Sequence, residues 1–141
     1  MTTAAGYEYF DVEADVGVRA WGPGRADAFA QAALGVLALG VAPADVRERE
    51  TRDVRAQATT LEDLLVAWVN ECIYVHEVEG FAVHRVSVHR LGDDVVHGVL
   101  YGEDLEPGRH RVGTVVKAAT HHQTAVTATP TGCEVRLIVD V

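Results

Sequence analysis

The sequence predicts an α+β fold of two layers: a mostly antiparallel sheet with two helices packed on one face. Three observations carry this. Two stretches with a 3.6-residue apolar period lie in the first half of the chain. Short β-branched segments surround them and fill the second half. Turn residues, Gly22-Pro23-Gly24, Gly92-Asp93-Asp94 and Pro130-Thr131-Gly132, separate the segments. The 141 residues, 48% hydrophobic and 23% charged, have the size and composition of one globular domain over 1–141.

Residues 7–10 and 16–21 are aromatic and β-branched, and read as two extended segments. Helical period begins at Ala26. Phe29, Ala32, Ala33, Val36, Leu37 and Gly40 form one apolar stripe whose alanines permit close packing on a sheet. Gly40 and Pro43 end it. Residues 54–58 read as a half-exposed strand. Thr59 and Glu62 form a capping box that opens the second helix. Leu61, Leu64, Leu65, Trp68, Val69, Cys72, Ile73 and His76 then mark one face, and Gly80 stops the run. His76, on that face, reads as a packed histidine. Strands follow at 81–91, 95–101, 114–120, 124–129 and 134–141, giving the order ββαβαβββββ.

Composition excludes several function classes. Twelve Lys plus Arg stand against twenty-one Asp plus Glu, a formal charge of −9. Nucleic-acid binding relies on clustered cations, so no direct grip on RNA or DNA is expected. Lys117 is the one lysine. No apolar run reaches the length of a membrane span, and Met1-Thr2-Thr3-Ala4-Ala5-Gly6 lacks the layout of a secretory leader. A cytoplasmic protein is expected, with Cys72 and Cys133 reduced and packed. Phosphate-binding glycine loops are absent. Ser87, the one serine, lies in a predicted strand without a nucleophile-elbow context. His110, His121 and His122 have no cysteine at zinc-ligand spacing, and the last two, adjacent on a strand, point to opposite faces.

The sharpest local feature is Asp11-Val12-Glu13-Ala14-Asp15-Val16-Gly17. If the segment is extended, its three carboxylates share one face, with neighbours roughly 7 Å apart. That is too far for two of them to hold one ion without a bend. The chain ends Val139-Asp140-Val141, which supplies a side-chain carboxylate, a backbone carbonyl and a terminal carboxylate. Hard cations such as Ca²⁺, Mg²⁺ and Mn²⁺ accept oxygen ligands from separate segments.

Ala14-Asp15-Val16-Gly17, the run over residues 61–71, Val116-Lys117-Ala118 and the closing Val139-Asp140-Val141 together resemble the archease family. Tyr7-Glu8-Tyr9-Phe10 leading into Ala14-Asp15-Val16-Gly17-Val18-Arg19-Ala20 is similar to its N-terminal signature. Leu61-Glu62-Asp63-Leu64-Leu65-Val66-Ala67-Trp68-Val69-Asn70-Glu71 is similar to its central helix. Glu79-Gly80-Phe81, Tyr101-Gly102-Glu103, Arg109-His110, Val116-Lys117-Ala118 with Thr120 and His122, and Val139-Asp140-Val141 follow in the family's order.

The resemblance implies a non-enzymatic activator of the GTP-dependent RNA ligase of tRNA splicing and RNA repair (RtcB type). It implies that the protein promotes guanylylation of the ligase's own histidine and allows multiple turnover. It further implies a divalent metal site, of calcium-like oxygen character, on Asp15, Asp140 and Val141. Glu13, Lys117 and His122 are accessory candidates, Lys117 as a charge partner of Asp15 or of a ligase group. Where the family has His-Thr, this chain has Val12-Glu13. Either Glu13 joins the site and alters its metal preference, or this member has left the ligase partnership. Two other readings stand beside these: a metal-dependent hydrolase using Asp15, Glu13 and His122, and a chaperone-like interaction module.

Overall fold

The computed structural model describes residues 4–141. Met1, Thr2 and Thr3, on which the leader reading partly rests, lie outside the described residues. The elements are β1 (Gly6–Val12), β2 (Asp15–Gly22), α1 (Arg25–Ala38), β3 (Glu50–Gln57), α2 (Leu61–Glu77), β4 (Phe81–Leu91), β5 (Val95–Asp104), β6 (Ala118–Thr129) and β7 (Gly132–Asp140), with a 3-10 turn at Pro43–Asp45. The class is α+β, and every strand pairing is antiparallel.

The strands divide into two sheets, ordered β1-β2-β7-β6 and β3-β5-β4. The helices bridge them. α1 packs on β1, β2 and β7 of one sheet and on β4 of the other, while α2 packs on β6 and on β3. This explains the breadth of apolar surface on α1: Ala28, Phe29, Ala30, Ala32, Ala33, Gly35, Val36 and Leu37 are all buried, more than a single stripe. Trp68 of α2 is fully buried, and its indole N–H donates to the Phe29 carbonyl of α1 at 2.9 Å. The same ring lies over Gly98 of β5, where a Cβ would stand 2.5 Å from it. From β1, Tyr9 donates its hydroxyl to the Gly35 carbonyl of α1 at 2.7 Å.

Three local expectations are corrected. The cap of α2 is Thr60, whose hydroxyl accepts from the Asp63 N–H, one residue later than the expected Thr59 and Glu62. β3 starts at Glu50, earlier than expected, because its polar first half pairs with residues 99–102 of β5 without being buried. The strands expected at 114–120 and 124–129 are one strand, β6, interrupted by an irregularity between Thr120 and Ala125. Residues 114–117 are not extended into the sheet. The N–H groups of Gly113 and Thr114 go instead to the carbonyls of Gly40 and Leu39.

Among the described residues no helix is long and apolar enough to cross a membrane. Cys72 and Cys133 are free thiols, both buried. Burial pushes the Cys72 thiol well above its usual range and raises that of Cys133. His76 is buried, and its Nδ1 donates to the Phe81 carbonyl at 2.8 Å, so it terminates α2 as a packed residue.

Candidate functional site

The chain reverses at Glu13-Ala14, where Ala14 takes φ 66°. β1 and β2 thus form a hairpin in which Val12 pairs with Asp15 and Asp11 with Val16. The shared face expected of Asp11, Glu13 and Asp15 does not form, because Glu13 is in the turn rather than on a strand. What the hairpin does is place Asp15 at the first position of β2.

β2 runs beside β7, with Val16 opposite Val139. One further step of that register sets Asp15 level with Asp140. Adjacent strands hold such residues with Cα atoms about 5 Å apart, against the roughly 7 Å of two carboxylates on one strand. On the far side of β7, Ala118 pairs with Asp140. Val12, Asp15, Asp140 and Ala118 therefore form one row across the end of the four-stranded sheet. Cross-strand neighbours share a face. Val18 and Val139, of opposite parity, are fully buried against the helices, so this row lies on the outer face. Asp15 is half-buried, Asp140 exposed, and the terminal Val141 half-buried.

The row has a packed base. One step inward, Phe10 covers Gly17, where a Cβ would stand 2.1 Å from the ring. The Arg136 guanidinium lies 4.3 Å from the centroid of that ring, and Ile138 beside it is 1% exposed despite facing outward. On the edge strand, Asn70 of α2 accepts from the Ala119 N–H at 2.8 Å and reaches the Ala119 carbonyl at 3.4 Å. Its amide fixes the start of β6 next to the row.

The accessory candidates separate. Lys117 donates its backbone N–H to the Asp140 carbonyl at 2.8 Å, but its exposed side chain forms no ion pair with Asp15. It lies one residue out of register, since Ala118 is level with Asp140. His122 sits in the β6 irregularity, exposed, next to Gln123, whose Nε2 donates to its Nε2 at 3.4 Å. His121 pairs with Asp63 at 3.1 Å, and His110 is buried elsewhere. Among the described residues no three His, Cys, Asp or Glu side chains converge to hold an ion. Neither Glu13 nor His122 completes a set with Asp15 and Asp140 among the described residues.

A second polar centre escaped the sequence reading. Glu103, on β5, is 2% exposed. One oxygen accepts from the Arg47 N–H at 2.8 Å and from His110 Nε2 at 3.0 Å. The other faces the guanidinium of Arg109 at 2.5 Å and that of Arg49 at 3.6 Å. The hydrogen bond from Arg109 leads the causes that lower the carboxyl pKa to about 2. Arg47 and Glu103 are 56 residues apart. The signal available in the sequence was the Glu103, Arg109 and His110 spacing, which does not by itself reveal a shared contact.

Comparisons with known proteins find relatives along nearly the whole chain. Residues 7–141 match the Archease protein family (MTH1598/TM1083). Protein archease of Saccharolobus solfataricus is 32% identical over 136 residues, covering 96% of this chain and 98% of that one. Protein archease of Pyrococcus furiosus is 29% identical over 129 residues, covering 89% and 91%. The solution structure of Methanobacterium thermoautotrophicum protein 1598 superimposes with a TM-score of 0.78 at 27% identity, covering 96% of this chain and 99% of that one. A crystal structure from Thermotoga maritima, described as an archease and possible chaperone, shares the fold with a TM-score of 0.61 at 18% identity, covering 95% and 96%. Matched to the family over residues 7–141 and 32% identical to a relative over 96% of its length, the chain belongs to the archease family.

Proposed function

We propose that this protein activates the GTP-dependent RNA ligase of tRNA splicing and RNA repair in the cytoplasm, and that it holds a divalent cation on Asp15, Asp140 and Val141. The observation that supports this best is the register that sets Asp15 level with Asp140 beside the chain terminus. The donor chemistry fits a hard cation of the Ca²⁺, Mg²⁺ or Mn²⁺ kind, because every donor is an oxygen. Such an ion neutralises charge that builds on a phosphoryl group as a nucleotide moves to a histidine. The protein's own part is to hold the carboxylates at the end of a packed sheet, where a partner can approach them. The chain itself is read as non-catalytic, and it acts on RNA through the ligase rather than by gripping RNA. Its formal charge of −9 suits docking on a basic nucleic-acid enzyme.

The test is guanylylation of the ligase from the same organism, with GTP and a divalent cation, in the presence and absence of this protein. The reading expects a faster rise of guanylylated ligase with the intact protein and none with Asp15→Ala or Asp140→Ala. No stimulation by the intact protein defeats it. Turnover of a substrate by this chain with no ligase present favours the hydrolase reading instead.

A further inference from the structure

We propose that Glu103 is a positioning residue, which fixes the segment 105–117 and through it holds Lys117 beside Asp140. This deepens the activator reading, and rests on it only in the last arm of the test. The segment has no helix or strand between Asp104 and Ala118, so its course depends on a few pins. It spans the gap from the end of β5 in one sheet to the start of β6 in the other.

The Leu105 N–H is tied to the Gly80 carbonyl at 2.7 Å, and Glu103 then gathers two separate stretches of chain. Arg47 and Arg49 come from the stretch before β3, and Arg109 and His110 from the segment itself. His110 is oriented from both sides. The Glu106 N–H donates to its Nδ1 at 2.9 Å, so Nε2 carries the hydrogen and donates to Glu103. The N–H groups of Arg109 and His110 return to the Glu106 carbonyl, closing a turn around the imidazole. The Arg47 N–H and His110 donate to one carboxylate oxygen and the Arg109 and Arg49 guanidiniums face the other, so a neutral amide in its place would turn an N–H₂ toward one of these groups. Further along, Gly113 and Thr114 bond to Gly40 and Leu39 at the end of α1, and Lys117 bonds to Asp140. Between these pins Val112 and Val115 stand half-exposed to solvent, at 52% and 57%. The segment therefore exposes Val112 and Val115, buries Val116 in the core and ends with the Lys117 backbone bonded to Asp140, on a frame whose upstream anchor is Glu103.

Lys117 is the one lysine, so protein labelled with ¹⁵N-lysine shows a single backbone amide resonance, that of the Lys117-to-Asp140 bond. Its hydrogen exchange is measured in the wild type, in Glu103→Gln, and in Val86→Ala, a core variant of the same sheet studied at the temperature that matches its stability to Glu103→Gln. The proposal expects exchange at Lys117 to rise roughly tenfold or more in Glu103→Gln and to stay within about twofold of wild type in Val86→Ala. Equal exchange in Glu103→Gln and wild type overturns it. So does an equal rise in both variants, which makes Glu103 merely a stabilising residue. Should Glu103→Gln fail to fold, Arg109→Gln removes one donor and keeps the buried carboxylate, and the same comparison applies. In the ligase assay, Glu103→Gln should raise the concentration for half-maximal stimulation while keeping the maximum. If the wild type gives no stimulation, the activator reading falls, and the exchange comparison alone judges Glu103.

Discussion

The protein holds carboxylates in two opposite ways. Glu103 is buried and surrounded by donors from two guanidiniums, a backbone N–H and an imidazole. Asp15 and Asp140 stand in a row at the end of a sheet, and among the described residues neither side chain takes a hydrogen bond or an ion pair. A carboxylate buried among cationic groups, with two hydrogen bonds on one oxygen and two guanidiniums facing the other, is committed to the fold. Asp15 and Asp140, level with each other at the end of two inner strands, are held by no such network among the described residues. The difference teaches where to look for function in a chain of many acids: in the unpaired row rather than in the strongest ion-pair network.

The sharpest way to break this comparison is to remove each carboxylate in turn. Glu103→Ala should destabilise the fold by about 3 kcal/mol in chemical denaturation, because it leaves buried donors without an acceptor. Acid offers the same test without a mutation. The carboxyl of Glu103 is held at about 2, below its ordinary 4.5. Its folded-state value is depressed, so its stabilisation is complete above about pH 4.5 and is lost as pH falls toward 2. Denaturation midpoints in Glu103→Ala should therefore depend less on pH in that window than those of the wild type.

Gly17→Ala tests whether the row rests on a rigid base. A methyl there meets the Phe10 ring, and a loss of about 2 kcal/mol is expected from overpacking. Ala14→Gly probes the hairpin turn. At φ 66° glycine is the relaxed residue, so a gain of up to about 1 kcal/mol is expected in thermal unfolding. Asp140→Asn should move stability least, within about 0.5 kcal/mol, as for a surface residue outside any network.

Much of this fold was legible in the sequence because its signals are local. The stripe from Phe29 to Leu37, the run from Leu61 to His76 and the alternating second half each announce their element through periodicity. The division into two sheets was not legible, since it depends on which strands pair across the helices, and β3 pairs with β5 rather than with a sequence neighbour. The aspartates at positions 15 and 140 were singled out from composition at the chain ends and from family likeness. Their convergence required the β2–β7 register. The expected face of Asp11, Glu13 and Asp15 failed because nothing in Glu13-Ala14 marks a tight turn: alanine is an unusual residue at positive φ. The Glu103 centre stayed hidden because its partners lie far apart in sequence, and Asn70 because a lone polar residue on a helix carries no periodic signal.

We propose one cation site on Asp15, Asp140 and Val141, independent of the buried ion-pair centre around Glu103. Calorimetric titration with Mn²⁺ tests it directly, comparing wild type, Asp15→Asn and a variant extended beyond Val141 by a short Gly-Ser tail. Saturable binding is expected in the wild type, with its loss in Asp15→Asn and marked weakening in the extended chain, while unfolding midpoints stay unchanged. Equal Mn²⁺ affinity in all three proteins would contradict it.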